Sequence, residues 1–269
     1  MKRYFEYVGL IVLICFSFFV TEQTASVVKE IDDIMIQIKS NYLSFTKVGV
    51  DAVINDKEMI PGLVTKKVNI EKSYQLMKEK GIYDSAFYVY DVLPPSITTS
   101  NIFDKKIILG NRQKKMVSLV FFIDNSNDDK ISRLFEKGVP INIILSSYNI
   151  DILAKYLENN SNVNVLVEEI KEDNYHLINT KLKAINAKID YCYNKLSSWC
   201  EKNKIYTISE KNIIETKPLL TVKNKLVTDN ILIFRLNDEV LNELPTIIQY
   251  IKSKGYTVSL LTEHLSENW

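Results

Sequence analysis

From residue 117 onward, continuous apolar runs alternate with stretches in which apolar residues recur at helical spacing. The apolar runs predict buried strands at 117–123, 141–145, 163–167, 205–208, 231–234 and 257–261. The stretches between them predict helices at 129–137, 151–158, 178–189, 196–202 and 240–254. Apolar strands that alternate with amphipathic helices form βα units around a parallel sheet, so the pattern predicts an α/β domain over 117–269. The periodicity leaves two arrangements open, a (β/α) barrel and a doubly wound sheet.

Residues 27–116 have a less regular pattern, which predicts a small α+β domain. Apolar residues at helical spacing over 28–42 predict an amphipathic helix. Asn69 precedes a second predicted helix at 71–80, and Gly81 follows it as a C-cap. Short apolar segments predict strands at 50–54, 57–60, 87–92 and 106–109. Two folded domains are therefore expected after the first 26 residues.

The segment 1–26 has the pattern of a sequence that directs export. Lys2 and Arg3 precede an apolar run from Val8 to Val20, and polar residues follow this run. A run of this length suits the core of a signal peptide, whereas a full membrane span needs about 20 residues. With aromatic residues at its start, the segment 5–20 would also serve as an uncleaved membrane anchor. Both alternatives place the rest of the chain outside the cytoplasm, secreted or membrane-anchored, because the basic residues stay inside.

The charge balance excludes one class of partner. The chain has 34 Lys and Arg residues against 33 Asp and Glu residues, which gives a net charge of +1. Proteins that bind nucleic acid usually present a strongly basic face. No nucleic-acid partner is therefore expected.

Cys192 and Cys200 are the cysteines that lie outside the apolar amino-terminal run. In an oxidising compartment, two cysteines so close in sequence are a candidate disulfide. The alternative is a pair of separate buried thiols.

Several segments of the larger domain resemble the polysaccharide deacetylases, also called NodB-homology domains or carbohydrate esterase family 4. Val117–Phe121 resembles the opening strand of that family, and Lys137-Gly138-Val139 resembles the turn before its second strand. The closing stretch, from Asn230 through Lys254-Gly255-Tyr256 to Leu265, is similar to the family's last strands and last helix. The resemblance covers 117–265 and implies a distorted (β/α) barrel, here preceded by the small α+β domain. Residues 27–116 resemble the segment before this domain in exported proteins of low-GC Gram-positive bacteria.

The chemistry of that family depends on residues that this chain lacks. Family members are similar in removing N-acetyl groups from sugars with a divalent metal, held by one aspartate and two histidines, while a second aspartate acts as base. The resemblance places the two aspartates on Phe122 and Ile123 and the histidine pair within 167–175. It places the arginine-x-proline motif on 190–193 and a late histidine on Phe234 or Arg235. The resemblance therefore implies an inactive scaffold that needs no cofactor.

Other residues at the expected carboxyl ends of the strands offer binding chemistry. Asp124, Tyr191, Tyr193 and Arg235 are candidates for glycan binding, although the tyrosines would also suit the core or its rim. Asp124 and Glu168 would hold a hard divalent cation if an acidic metal site had been rebuilt, although acidic loops are also common for solubility.

The sequence thus indicates an exported, catalytically inactive polysaccharide deacetylase homologue at the bacterial cell envelope. Its expected partners are a cell-wall or capsular glycan, or an envelope protein, with membrane contact through the amino-terminal segment. The alternative is an active metal-dependent glycan N-deacetylase or other hydrolase with a rebuilt acidic metal site.

Overall fold

The computed structural model describes residues 2–123, 128–145, 150–158, 160–168 and 172–269, with side chains for all of these except 2–9, 22, 24–28 and 172–174. The strands are β1 (Val53–Ile54), β2 (Glu58–Ile60), β3 (Thr65–Val68), β4 (Tyr90–Leu93), β5 (Lys106–Ile107), β6 (Met116–Phe122), β7 (Ile141–Leu145), β8 (Val163–Glu168), β9 (Tyr191–Tyr193), β10 (Thr207–Ile208), β11 (Ile231–Arg235) and β12 (Thr257–Val258). The helices are α1 (Lys2–Glu30), α2 (Asp33–Phe45), α3 (Ile70–Lys80), α4 (Asp128–Phe135), α5 (Ile150–Leu157), α6 (Glu172–Ala184), α7 (Ser198–Lys202), α8 (Pro218–Lys225), α9 (Asp238–Ser253) and α10 (Leu261–His264).

The chain forms two compact units whose boundary differs from the predicted one at residue 116. The smaller unit holds the chain up to Gly49 together with Thr65–Leu93, and the larger unit holds Val50–Val64 and Pro94–Trp269. The difference arises because β2 pairs with β5, and β5 pairs with β10. Segments that looked like part of the small α+β domain therefore extend the sheet of the larger unit.

Ten of the described strands in the larger unit form one sheet, which curls into a mainly parallel half-barrel. The strand order is β1-β2-β5-β10-β9-β8-β7-β6-β11, and β12 pairs with the first residues of β6. Every neighbouring pair from β2 to β11 is parallel, whereas β1 and β2 are antiparallel. The predicted α/β architecture is confirmed, and the curled sheet favours the barrel over the doubly wound alternative.

The strands of this sheet are buried on both faces. Along β6, Val117, Leu119 and Phe121 pack outward against the helices, and the Phe121 ring lies 5.8 Å from the ring of Phe234. Successive side chains of a strand point to opposite faces, so Val120 lies in the inner cluster. The other buried members of the inner cluster are Met59, Ile107, Ile144, Leu166, Tyr191, Tyr193, Ile208, Ile231, Ile233, Leu261 and Leu265. Burial on both faces explains why these strands read as continuous apolar runs.

Polar side chains inside the barrel attach the carboxyl-terminal segment to the amino ends of the strands. The buried Asn142 accepts a hydrogen bond from the backbone N–H of Leu261 at 2.8 Å, and Asn164 accepts one from Thr262 at 3.0 Å. Ser118 Oγ lies 2.9 Å from Nδ1 of His264. These three contacts explain a departure from the prediction: the strand predicted at 257–261 ends at Val258, and Leu261 instead begins α10.

The smaller unit packs α2 and α3 with the hairpin of β3 and β4. Asn69 accepts a hydrogen bond from Lys72 N and caps α3, and Gly81 ends this helix in the left-handed conformation with φ of 71°. The helix predicted at 71–80 is thereby confirmed. The helix predicted over 28–42 is instead divided, because α1 ends at Glu30 and Asp32 caps α2.

Within the part of the chain that the structure describes, no helix combines the length and the apolar character needed to cross a membrane. Apolar side chains of α1 nevertheless lie open to solvent, among them Leu13, Phe16 and Phe18.

Candidate functional site

The carboxyl ends of the parallel strands meet at one edge of the half-barrel. In (β/α) barrels this edge carries the active site. β6 ends at Phe122, β8 at Glu168, β9 at Tyr193 and β11 at Arg235. Phe122 is in register with Arg235, and Glu168 is in register with Tyr193. Asp124, the remaining candidate for this edge, lies outside the described residues.

Arg235 and Phe122 form a cation–π pair at this edge. The guanidinium carbon lies 5.3 Å from the centre of the Phe122 ring, and Nε donates a hydrogen bond of 2.7 Å to Glu215 Oε1. The backbone also holds this arrangement, because Arg235 N donates to Ile214 O at 3.0 Å and Asn237 Nδ2 donates to Glu215 O at 2.8 Å. A permanently cationic side chain therefore stands at the end of β11, with its charge partly neutralised by a carboxylate.

The positions that the resemblance assigns to the metal ligand and the base hold apolar side chains. Ile123 is buried at 3% exposure, and Phe122 is partly buried against the inner cluster. Phe234 is fully buried in the outer core. Such side chains offer no lone pairs to a cation, and the neighbouring guanidinium would repel one. The residues that the structure describes at the family's ligand positions therefore do not fit its divalent metal.

The two candidate tyrosines lie at opposite ends of the same strand. Tyr193 ends β9 at the carboxyl edge, whereas Tyr191 begins β9 at the amino end of the barrel. Both side chains point into the barrel interior, where Tyr193 is 2% exposed and Tyr191 is 6% exposed. Burial raises the pKa of both phenols, because it disfavours the phenolate. Tyr193, Glu168 and Arg235 thus reach the predicted edge, and Tyr191 does not join them.

Acidic residues near this edge are engaged with basic partners. Asp128 at the start of α4 accepts hydrogen bonds from Lys155 and from the Tyr156 hydroxyl, and these contacts hold its pKa below the usual range. Within the described ranges, no group of three or more His, Cys, Asp or Glu side chains is placed to hold a metal ion. The proposed pair of Asp124 and Glu168 stays a prediction, since Asp124 is not among these residues.

Cys192 and Cys200 form a disulfide in the structure, which is the first of the two alternatives that their spacing left open. The bridge links β9 to α7 within the outer core, where both cysteines are buried. Next to it, the rings of Tyr175 and Trp199 stack at 4.6 Å with an interplanar angle of 4°. The disulfide therefore fixes the strand that carries both candidate tyrosines.

His264 is a buried polar residue in the carboxyl-terminal segment. It is fully buried at the amino end of the barrel, and a Cβ on Gly110 would overlap its imidazole. Burial, together with the positive charge of Lys114, lowers its pKa to about 3, so the imidazole is neutral at physiological pH. His176, the other histidine, is exposed on α6. Neither histidine lies at the end of a strand on the carboxyl edge.

Comparisons with known proteins define the class of fold. No family model matches the chain. Solved structures of carbohydrate esterase family 4 pseudoenzymes superpose on 88% of the chain with a TM-score of 0.68. The larger unit therefore has the distorted (β/α) barrel fold of the polysaccharide deacetylases, which confirms the predicted fold class.

The solved protein in question is BA3943 of Bacillus anthracis, a pseudoenzyme of that family. The wild-type structure is 18% identical to this chain, and the match covers 96% of it. A mutant of BA3943 with restored enzymatic activity is 19% identical, with 99% of its chain covered. A relative in sequence is the uncharacterised protein YlxY of Bacillus subtilis, 25% identical over 250 residues, which cover 77% of this chain and 75% of that protein. At these identities the likeness establishes the fold.

Proposed function

We propose that this protein is an exported, catalytically inactive homologue of the polysaccharide deacetylases that binds glycan at the bacterial cell envelope. The observation that carries the proposal is the Arg235–Phe122 pair at the carboxyl edge of the barrel. The resemblance assigns a metal ligand or base to Phe122 and the general acid to the region of Arg235. The likeness of the whole fold to a family pseudoenzyme supports the same conclusion.

The physical argument concerns the metal. Hydrolysis of an acetamide in this family needs a cation that polarises the carbonyl and lowers the pKa of its bound water. A phenyl ring cannot replace a carboxylate ligand, and Arg235 keeps its proton at any physiological pH. Its ion pair also occupies the carboxylate of Glu215. The described part of the edge is therefore suited to contacting a polar ligand and unsuited to activating water.

Two features support export. Apolar side chains on α1, including Leu13, Phe16 and Phe18, are exposed, and a helix that is apolar on all sides is stable in lipid or against a partner. The disulfide of Cys192 and Cys200 suits an oxidising compartment. We expect protease added to intact cells without their wall to degrade the protein. Full protection under conditions that degrade a known surface protein would argue against export.

An assay for acetate release tests the catalytic part of the proposal. The purified full chain in detergent, incubated with N-acetylated chito-oligosaccharides and Zn²⁺, Co²⁺ or Mn²⁺, should release no acetate above the level of buffer and metal alone. Turnover that a chelator abolishes would overturn the proposal and favour the alternative, an active enzyme with metal ligands such as Asp124 and Glu168.

A sedimentation assay tests the binding part. Isolated peptidoglycan or capsular polysaccharide should retain the purified full chain after washing, in competition with soluble fragments of the same glycan. If neither material retains the protein at micromolar concentration, glycan binding is wrong, and an envelope protein becomes the partner to seek.

A further inference from the structure

A cavity lies at the amino end of the barrel, away from the carboxyl edge. It has a volume of about 450 Å³, within the range of roughly 300–1,000 Å³ that is typical of small-molecule sites. Tyr191, at the start of β9, and Tyr206, directly before β10, contribute aromatic walls, and Pro94 and Pro95 contribute further apolar surface. All of its lining residues belong to the larger unit.

Tyr191 contributes a hydroxyl group without a hydrogen-bond partner among the described residues. The residue is only 6% exposed, but its unpaired hydroxyl is not fully sealed from solvent. Burial raises its pKa, so the phenol keeps its proton and can donate. A polar group that is mostly buried and unpaired costs stability unless water or a ligand accepts its hydrogen bond. Tyr191 is therefore placed to donate to a ligand oxygen.

Several other polar groups of the cavity form a frame of hydrogen bonds. Tyr206 packs against Phe103 with 4.7 Å between ring centres, and its hydroxyl donates to Thr99 O at 3.1 Å. Glu267 accepts hydrogen bonds from Thr98 Oγ1, from Thr99 N at 2.7 Å and from Thr99 Oγ1 at 3.0 Å. These contacts join the loop before β5 to the carboxyl-terminal segment, so the cavity is formed before any ligand binds.

The charge of the cavity limits the ligand. Glu267 is the charged side chain among its described lining residues, and its carboxylate is already saturated by the donors named above. With no basic group in the lining, an anionic ligand would lack a counter-charge. An uncharged ligand with apolar faces and acceptor oxygens fits best, which is the chemistry of a neutral sugar unit: C–H faces for the aromatic and proline walls, and oxygens for Tyr191.

The exposed Thr262 connects this cavity to a neighbouring depression of about 590 Å³. The polar part of its lining includes the amides of Asn160 and Asn186 and the ion pair of Lys188 with Asp190, whose carboxylate also accepts a hydrogen bond from Val165 N at 2.8 Å. Burial raises the pKa of Asp190. A chain of several sugars could thus continue from the Tyr191 cavity across Thr262.

We propose that the amino end of the barrel is a glycan-binding site, in which the cavity around Tyr191 and Tyr206 takes an uncharged sugar unit and Tyr191 donates to one of its oxygens. The inference rests on the proposed glycan-binding function and adds a site to it, at the opposite end of the barrel from the carboxyl edge.

Isothermal titration of the full chain in detergent with tri-N-acetylchitotriose tests this site. The Tyr191→Phe variant keeps the ring and removes the donor, and the Ser100→Trp variant fills the cavity from an exposed lining position. The His176→Gln variant, altered at an exposed position of α6, is the control, and the Arg235→Ala variant tests the carboxyl edge separately. We expect saturable binding to the wild type, at least about tenfold weaker binding to both cavity variants, and unchanged binding to the control, since a lost hydrogen bond contributes about this factor. Circular dichroism and thermal unfolding of each variant check folding.

The possible failures separate the two proposals. If Arg235→Ala abolishes binding while Tyr191→Phe and Ser100→Trp leave it unchanged, the amino-end site is wrong and glycan binding stands. If the trisaccharide does not bind but peptidoglycan still retains the protein, the proposed ligand of this cavity is wrong and the broader function again stands. If neither glycan binds, both proposals fail.

Discussion

The buried His264 gives a prediction whose size follows from the structure. Its imidazole is fully buried, Ser118 Oγ lies 2.9 Å from Nδ1, and its pKa is lowered to about 3. In the unfolded chain the same group has a pKa of about 6.5. Lys114 is the charged group that adds to the burial effect on the ring, and its ammonium donates to the backbone oxygens of Glu263 and Ser266.

The direction in which stability changes with pH follows from proton binding to His264. Below about pH 6.5 the unfolded chain takes up a proton on this histidine, whereas the folded chain does so only near pH 3. The contribution of His264 to stability is therefore complete above pH 6.5 and decreases as the pH falls, until it levels off near pH 3. Over the two pH units from 6.5 to 4.5, the unfolding free energy should fall by on the order of 3 kcal/mol.

Urea unfolding of the wild type and the His264→Gln variant at several pH values measures this loss. The variant should be less stable at pH 7, because it loses packing and the contact with Ser118, but its stability should fall by on the order of 3 kcal/mol less between pH 6.5 and 4.5. His176→Gln is the matched control, since it removes an exposed imidazole. Equal pH dependence of wild type and His264→Gln would refute the reasoning.

Three further predictions concern the contacts that hold the barrel. The Cys192→Ala/Cys200→Ala variant should lose about 2–3 kcal/mol of unfolding free energy in urea, because the bridge restricts the unfolded chain. It should also change the fluorescence of Trp199, whose ring stacks on Tyr175 next to the bridge. Reduced wild type should match the variant, and an unaltered midpoint would contradict the prediction. Asn142→Ala should cost about 2–4 kcal/mol of unfolding free energy, since it leaves Leu119 O and Leu261 N without their buried partner. Asn160→Ala, at an exposed position, should cost under about 1 kcal/mol. Equal small effects would show that the contact of Asn142 with the start of α10 does not stabilise the barrel. Gly110→Ala should destabilise the fold by more than about 2 kcal/mol, because its Cβ overlaps the His264 ring. In a His264→Ala background most of this cost should disappear. Purely additive costs in the double-mutant cycle would exclude the overlap as the cause.

Much of the fold was predictable because burial on both faces leaves a plain signal in the strands. The run at 141–145 became β7 with the predicted bounds, and the run at 117–123 became β6. The helix expected at 178–189 shifted toward the amino terminus. Tyr175, Ile178 and Leu182 extend its buried face upstream, and Asn186 ends it in the left-handed conformation with φ of 55°.

Other elements had weaker or unused signals. Lys66 and Lys67 interrupt the apolar pattern of β3, which pairs with β4 and exposes Lys67. The helix α8 was not predicted, although Pro218 at its first turn and the spacing of Leu219, Val222 and Leu226 are signals of a helix start and face. Short and partly exposed elements depend on tertiary contacts more than on local pattern.

The sequence allowed us to predict that the family's catalytic side chains are replaced, but not which contacts the replacing residues make. The resemblance located Phe122 and Arg235, but their cation–π contact needed the register of β6 and β11. The tyrosines at 191 and 193 share one face of β9, so both point inward, yet only the strand's direction shows that they serve opposite ends of the barrel. Asn142, a polar residue within an apolar run, was the available signal that the carboxyl-terminal segment packs into the amino end of the barrel.

The central claim is that the carboxyl edge of this barrel holds no catalytic metal. Elemental analysis of the purified full chain, after incubation with Zn²⁺, Co²⁺ or Mn²⁺ and exhaustive dialysis, tests it most directly. The account predicts far less than one metal ion per chain for each metal. One tightly held ion per chain, lost on substitution of Glu168 or Asp124, would contradict the account and establish a rebuilt acidic site.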